Sequence, residues 1–248
     1  MKFSIVMVCA ASLAAVILAW NFTDRIYEKR KSPIPLYLFY FLICAVDTVV
    51  LRLFQEKYPA DILNAGLLKF SASLPCVTYA LHNYLYEKNR FSRLIVIAMF
   101  IAMAADIAIN SSVAAGAVLF GICHILFVIA FIREKLPVRR EVLIWLVLSV
   151  TAGILLTLIR DRIGSTMLYL TAVCYIAILI STCVFSFRMP RIIWLSAMVF
   201  ALSDIMLVGN NAFNESLIMR IAALLVYYVS LLMYGTAIQT TVYPEEYR

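Results

Sequence analysis

The sequence predicts an all-α protein, a polytopic bundle of eight to nine transmembrane helices with a weak internal repeat of one hairpin. Of its 248 residues, 65% are hydrophobic, and the mean hydropathy is +0.96, whereas about 45–50% of a soluble domain is apolar. The apolar runs are continuous rather than alternating, which excludes an outer-membrane β-barrel. Short loops that carry Lys and Arg separate the runs, as is typical of multi-pass membrane proteins.

Nine apolar runs are each about long enough to cross a bilayer as a helix. They cover residues 3–20, 34–54, 62–85, 93–109, 114–132, 142–159, 166–186, 192–209 and 217–238. Pro75 lies inside the third run and is expected to kink that helix. We predict a single integral membrane domain over 1–248, in which 1–31 form an extra N-terminal anchor helix and loop and 34–238 form the core of the bundle.

The distribution of Lys and Arg predicts the orientation of the chain. The loops after the first, third, fifth and seventh runs hold thirteen of these residues, and the other four loops hold four. This bias places the N-terminus outside and the C-terminus in the cytosol. It also favours an uncleaved first helix over a signal peptide, because a basic cluster over 25–31 follows that helix directly. The bacterial cytoplasmic membrane and the endoplasmic reticulum are the two candidate membranes.

Several function classes are excluded by the residues that the chain lacks. The net charge of +7 comes from the loop Lys and Arg and is not a nucleic-acid signature. The six cysteines lie within apolar runs and form no CxxC pair, so neither a metal site nor a disulfide framework is expected. No glycine-rich phosphate loop, HExxH or GxSxG motif occurs. We therefore expect no cofactor.

Two carboxylates lie in the sequence where hydrocarbon should surround the chain. Asp106 lies in RLIVIAMFIAMAADIAI, and Asp204 lies in IIWLSAMVFALSDIMLV. A charged residue inside a membrane costs several kcal/mol and is by default a functional-site hypothesis. At 1.5 Å per helical residue, both carboxylates and Lys69 are predicted about 6–11 Å inside the outer boundary.

Polar groups that could carry protons are predicted beneath this charged layer. His124, Tyr227 and Tyr228 lie about 15–20 Å from the same boundary by the helical rise. An outgoing helix that carries Asp and ends near Asn110 or Asn210, followed by an incoming helix with a polar group at mid-depth, occurs twice. Two copies of one hairpin could therefore bring both carboxylates to a shared cavity at the interface between repeats.

These residues resemble the signature of the YhhN-type lysoplasmalogenase family. The first block is an Asp, a short loop, Gly-x-x-x-Phe-x-x-x-His and a following Ala-Phe, here Asp106, Gly116, Phe120, His124, Ala130 and Phe131. The second block is Phe-x-x-Ser-Asp with a later Tyr-Tyr pair, here Phe200, Ser203, Asp204, Phe213, Tyr227 and Tyr228. Lys69 falls where the family has Lys-Pro. The sequence departs from the pattern at Ala105, Phe70 and Leu231.

The resemblance implies an alkenyl ether hydrolase. Its substrate would be a lysoplasmalogen, a lysophospholipid with a vinyl ether bond, and its products a fatty aldehyde and glycerophosphocholine or glycerophosphoethanolamine. Besides this lysophospholipid, water and the surrounding membrane lipid are the expected partners, a homo-oligomer is left open, and no nucleic acid is expected.

Cleavage of a vinyl ether requires a neutral acid that protonates carbon and a second group that activates water. Two neighbouring carboxyl groups in low-dielectric surroundings can hold these two protonation states. The predicted catalytic residues are Asp106, Asp204 and His124. The predicted substrate-binding residues are Lys69, Tyr227, Tyr228, Asn110 and Asn210. Which Asp is the acid stays open at this point.

Other functions fit the same residues. In a proton-coupled transporter, intramembrane Asp, Lys and His would form a proton relay. An intramembrane aspartyl protease also uses two membrane Asp, although the Gly-x-Gly-Asp context is missing. In a non-catalytic scaffold, the Asp–Lys pair would only hold helices together. Of the remaining polar residues, we expect Asp47 to form an ion pair with Arg52, and His82 to lie at the membrane interface.

Overall fold

The computed structural model describes residues 2–28, 34–58, 60–158, 160, 165–213 and 216–240, with side chains described at all of these except 2–4, 22–28, 34–35, 210–213 and 240. The described residues form nine α-helices and no strand, which confirms the prediction of an all-α helix bundle. The helices are α1 Lys2–Glu28, α2 Ile34–Lys57, α3 Ile62–Glu87, α4 Arg90–Ala108, α5 Val113–Glu134, α6 Arg139–Leu158, α7 Thr166–Ser186, α8 Arg191–Phe213 and α9 Leu217–Thr240.

Seven helices, α2 and α4 to α9, are long and apolar enough to cross a membrane, so the chain is an integral membrane protein. Helix α1 contains a shorter apolar segment, Ile5–Asn21. Helix α3 is not among the seven, because it carries the polar residues Asn64, Lys69, Ser71, Ser73, Thr78, His82 and Asn83.

Local sequence explains where the helices begin and end. The side chains of Asp61, Asn89 and Ser112 accept hydrogen bonds from the backbone N–H groups that open α3, α4 and α5, as good N-caps do. Helix α1 continues about two turns beyond the predicted end at residue 20, because the charged segment that follows contains no Gly or Pro to stop a helix.

Helix α3 is the central element of the bundle. It packs against α1, α2, α4 and α9, while α4 with α5 and α8 with α9 form two closely packed hairpins. Helix α6 packs against α7 and buries none of its residues. We call the end of the bundle at which α2, α4 and α8 finish the Asn110 end.

The bundle has polar residues inside and large apolar residues outside. Asp47, Lys69 and Asp106 are buried, whereas Leu63 and Ile218 are exposed at 75% and 78%. Hydrocarbon offers no hydrogen bonds, so a membrane protein keeps its polar side chains within the bundle and turns its apolar surface to lipid. The polar face of α3 is tolerated because four other helices cover it.

Gly116 allows α5 to pack against the end of α4. A Cβ atom at this position would lie 2.5 Å from Cβ and 2.8 Å from Cα of Ile109. Small residues at such crossings let membrane helices approach closely. The hairpin that carries Asp106 therefore depends on a glycine at this position.

We expect Gly116→Ala to lower the thermal stability of the detergent-solubilised protein, because the methyl group overpacks the α4–α5 contact at a cost of about 1–3 kcal/mol. Gly153→Ala is the matched control, since nothing lies within 4 Å of a Cβ there, and it should leave the unfolding temperature unchanged or raise it slightly. The measurement is thermal unfolding followed by tryptophan fluorescence. Equal unfolding temperatures for the two variants would contradict this account of the hairpin.

Candidate active site

Asp106 lies at the centre of a buried polar cluster near the Asn110 end. Its side chain is 2% exposed. Its Oδ2 accepts hydrogen bonds from the Ser73 hydroxyl at 2.6 Å and from the Tyr227 hydroxyl at 3.0 Å. One carboxylate thus joins three helices, because Asp106 lies on α4, Ser73 on α3 and Tyr227 on α9.

Lys69 supplies a positive charge to this cluster. It precedes Ser73 by one turn of α3, is 6% exposed and interacts electrostatically with Asp106. Residues four apart lie on the same face of a helix, so α3 presents both the lysine and the serine to Asp106. A neighbouring cation and two hydroxyl donors favour the ionised form of a carboxyl group.

Asp204 has different surroundings. Its Oδ2 accepts a hydrogen bond from the Tyr175 hydroxyl at 2.6 Å, and Asp106 lies within electrostatic range of it. A neighbouring carboxylate and burial both disfavour a second negative charge. The two predicted acidic residues therefore lie within electrostatic range of each other, and Lys69 is the neighbour of Asp106.

Aromatic rings fill the space beside the two carboxyl groups. The Phe200 ring is perpendicular to that of Tyr227, with centroids 5.2 Å apart, and lies edge-on to the His124 ring, 4.5 Å away. Phe120 lies 5.8 Å from Tyr227 in another perpendicular contact. Aromatic faces, which attract positive charge, thus lie beside the carboxyl groups.

His124 lies in this aromatic layer rather than against a carboxylate. Its Nδ1 is 3.1 Å from the Thr182 hydroxyl, and its buried Nε2 has no hydrogen-bond partner among the described residues. Its ring lies 5.9 Å from that of Tyr175, the residue that donates to Asp204. His124 therefore approaches Asp204 through Tyr175.

The other predicted substrate-binding residues lie around the cluster. The buried Tyr228 hydroxyl lies beside Ser73 and within electrostatic range of Asp106. Asn110 donates to the backbone oxygen of Asp106 at 3.3 Å and accepts from Gln55 at 3.3 Å. Asn210 belongs to the last turn of α8, and its side chain lies outside the described residues.

Three residues of the cluster were not predicted from the sequence. Ser73 and Tyr175 hold the carboxyl groups, and Cys123 lies within electrostatic range of both. Serine and tyrosine are common in these helices, so no local pattern distinguishes the residues that reach an Asp on another helix. Within the described residues, no group of three His, Cys, Asp or Glu side chains is placed to hold a metal ion.

A second buried carboxylate cluster ties α1 to the bundle. Asp47 accepts hydrogen bonds from Ser12 and Ser71, both at 2.7 Å. The predicted Asp47–Arg52 ion pair is wrong, because residues five apart lie on different faces of a helix and Arg52 instead donates to Gln55 at 2.9 Å.

His82, for which an interfacial position was predicted, is buried against other helices. This residue is 1% exposed. Its ring lies 4.9 Å from that of Trp20 and 5.0 Å from that of Tyr86. Helix α1, which carries Trp20, therefore covers the end of α3 that the sequence suggested would face the interface.

Comparison with known proteins identifies one family. The model of the YhhN family matches residues 65–234, from the first turn of α3 to the last two turns of α9. Lys69, both carboxyl groups and Tyr227 lie within the match, whereas α1 and α2 precede it. Comparison with curated proteins gave no match, and comparison with solved structures gave none.

We expect Asp47→Ala to lower the thermal stability of the protein, because it leaves the Ser12 and Ser71 hydroxyls without their acceptor and removes the polar link to α1. An unsatisfied buried hydroxyl costs about 1–3 kcal/mol. Thr151→Ala is the control, since that hydroxyl is exposed and bonds only within its own helix. An unfolding temperature for Asp47→Ala equal to that of the control would show that the cluster contributes nothing to stability.

Proposed function

The chain belongs to the YhhN family, and from this we propose that it hydrolyses the vinyl ether bond of lysoplasmalogens. Membership supports a lysoplasmalogenase-like membrane protein at the family level. The products of the proposed reaction are a fatty aldehyde and a glycerophosphodiester, glycerophosphocholine or glycerophosphoethanolamine.

The observation that carries this proposal is the unequal environment of the two carboxyl groups. Asp106 has a lysine neighbour and two hydroxyl donors, whereas Asp204 has one tyrosine donor and a like-charged neighbour. Pairs of carboxyl groups held in different protonation states divide the roles of acid and base. We therefore assign the neutral acid to Asp204 and the ionised partner to Asp106.

In the first step, Asp204 gives its proton to the β-carbon of the vinyl ether. Tyr175 holds Oδ2 of Asp204, which leaves Oδ1 to carry the transferable proton. The substrate becomes an oxocarbenium ion. The Asp106 carboxylate and the faces of Phe200 and Tyr227 stabilise this cation.

In the second step, water attacks the oxocarbenium carbon while Asp106 accepts a proton from that water, which forms a hemiacetal. Asp106 then protonates the glycerol oxygen as the C–O bond breaks, and Asp204 takes the proton of the hemiacetal hydroxyl. The aldehyde leaves, and both carboxyl groups return to their starting states. One water is consumed for each ether bond that is cleaved.

The other predicted residues support these steps. Lys69 keeps Asp106 ionised between turnovers, and Asn110 fixes the backbone of Asp106. His124 positions Tyr175 through ring packing, and Tyr228 adds a hydroxyl near Asp106. With the N-terminus outside, as the loop charges favour, the Asn110 end lies in the outer half of the membrane.

We expect Asp106→Asn and Asp204→Asn each to lower kcat by about 10²–10⁴-fold, because each removes a proton-transferring group. Aldehyde release from a 1-alkenyl-glycerophosphoethanolamine measures turnover, and size-exclusion chromatography checks folding. Asp47→Asn is the matched control, since it alters a buried carboxyl group outside the site, and should keep near-wild-type turnover. Wild-type activity in either of the first two variants would exclude that carboxyl group from the reaction.

We expect Tyr175→Phe to lower kcat by about 10- to 100-fold with little change in KM, because it removes a hydrogen bond to the acid rather than a contact with substrate. Tyr169→Phe is the control, since this tyrosine of α7 has its hydroxyl 3.0 Å from that of Thr157, in an exposed pair. Both variants are assayed for aldehyde release. Equal activity in the two would show that Asp204 needs no tyrosine donor.

A further inference from the structure

Arg52 is a partly buried guanidinium group close to the candidate active site. It lies in the last turns of α2 at the Asn110 end, and its Nη1 donates to Gln55 at 2.9 Å. Its Nε is buried and has no hydrogen-bond partner among the described residues. A guanidinium group has five N–H donors in a fixed fork, so the neutral Gln55 side chain uses only a small part of what Arg52 offers.

The surroundings of Arg52 concentrate positive charge. Arg52 interacts electrostatically with Arg220, in the first turn of α9, and with Asp106. It also acts on the buried Lys69. Like charges in a low-dielectric region repel strongly, so an anion in contact with both Arg52 and Arg220 would reduce the repulsion between them.

A path of hydrogen bonds connects Arg52 to the reacting centre. Arg52 donates to Gln55, Gln55 donates to Asn110 at 3.3 Å, and Asn110 donates to the backbone oxygen of Asp106 at 3.3 Å. Arg52 and Asp106 thus belong to one polar network, with the arginine toward the end of the bundle. A ligand that spans the two would have an anionic group at the Asn110 end and its reacting bond deeper.

We infer that Arg52 and Arg220 form a binding site for the phosphate of an ether lysophospholipid, which selects phosphate-bearing substrates over neutral alkenylglycerols. This inference rests on the proposed function. In such a lipid, the three carbons of glycerol separate the vinyl ether oxygen from the phosphate ester oxygen. A phosphate bound at the Asn110 end would therefore leave the vinyl ether beside Asp106 and Asp204. The forked guanidinium groups match phosphate oxygens.

The alternative is that Arg52 marks the membrane boundary, as Lys and Arg near helix ends commonly do. A snorkelling arginine keeps its charged head in water, whereas the Nε of Arg52 is buried and its guanidinium lies within electrostatic range of the buried Lys69 and Asp106. An arginine that only marks the boundary would not discriminate between substrates with and without phosphate, which makes the two explanations separable.

The kinetic test compares 1-alkenyl-glycerophosphoethanolamine with 1-alkenylglycerol, which has the same vinyl ether but no phosphate. Arg52→Gln should lower kcat/KM for the first substrate by about 10- to 100-fold, the usual loss for a hydrogen bond to a charged group, and leave the second within about threefold. Arg52→Lys should fall between, because it keeps the charge and loses the fork. Arg220→Gln should show the same substrate-selective loss.

Arg160→Gln is the matched control, because Arg160 is exposed and its guanidinium lies over the Tyr169 ring, 5.4 Å from the centroid. It should change neither substrate. An equal loss on both substrates in Arg52→Gln would mean that the arginine only supports Asp106 through Gln55 and Asn110. No loss on either would mean that it marks the boundary. Either result overturns the phosphate site.

A binding test separates this inference from the proposed reaction. The saturated ether 1-alkyl-glycerophosphoethanolamine cannot be hydrolysed by this route, and its affinity is measured by thermal shift in a phosphate-free maltoside detergent, with 1-alkylglycerol as the neutral comparison. If the saturated ether binds in an arginine-dependent way but the vinyl ether substrate releases no aldehyde, the phosphate site is retained and the proposed reaction is rejected. If the vinyl ether substrate releases aldehyde but substitution of Arg52 or Arg220 leaves binding of the saturated ether unchanged, the reaction is retained and the phosphate site is rejected.

Discussion

The constraint on which the rest of the structure depends is the burial of the Asp106 carboxyl group in a region where lipid supplies no hydrogen bond. Ser73, Tyr227 and Lys69 satisfy it from two other helices. Helix α3 carries two of these three partners, so it must be surrounded by protein, and it is the helix that α1, α2, α4 and α9 enclose. The polarity that excludes α3 from the seven apolar helices is therefore the reason for its central position.

The same constraint limits how the proposed reaction can proceed. In the resting site of the proposed mechanism, an ionised Asp106 and Lys69 compensate each other, and Asp204 is neutral. Transfer of a proton from Asp204 to the substrate creates one anion and one cation together. The attack of water then removes the cation and neutralises Asp106, and Asp204 regains its proton when the hemiacetal breaks down. The summed charge of the two carboxyl groups, the lysine and the reacting group stays at zero in every step. Low-dielectric surroundings penalise uncompensated charge, so this sequence suits a site within the membrane.

Much of the fold and part of the site could be predicted because they depend on local sequence. Hydropathy located the helices, and helical rise predicted that Lys69, Asp106 and Asp204 lie at a similar level of the bundle. Ser73, Tyr175 and the position of Arg52 could not be predicted, because contacts between helices depend on how each helix is rotated about its axis, and the apolar helices show little amphipathic pattern to indicate that rotation. The incorrect Asp47–Arg52 pair has the same origin, since proximity in sequence does not specify the helix face.

The family match separates the region of the proposed chemistry from helix α2, where substrate selection would arise. Residues 65–234 contain both carboxyl groups, Lys69 and their tyrosine donors, so the proposed chemistry lies within the matched region. Helix α2 precedes that region, yet it brings Gln55 to Asn110 and Arg52 within electrostatic range of Asp106. A residue outside the reacting cluster can change without disturbing proton transfer. If α2 recognises the phosphate, substitutions in α2 would change which ether lipids bind while the reacting cluster stays the same.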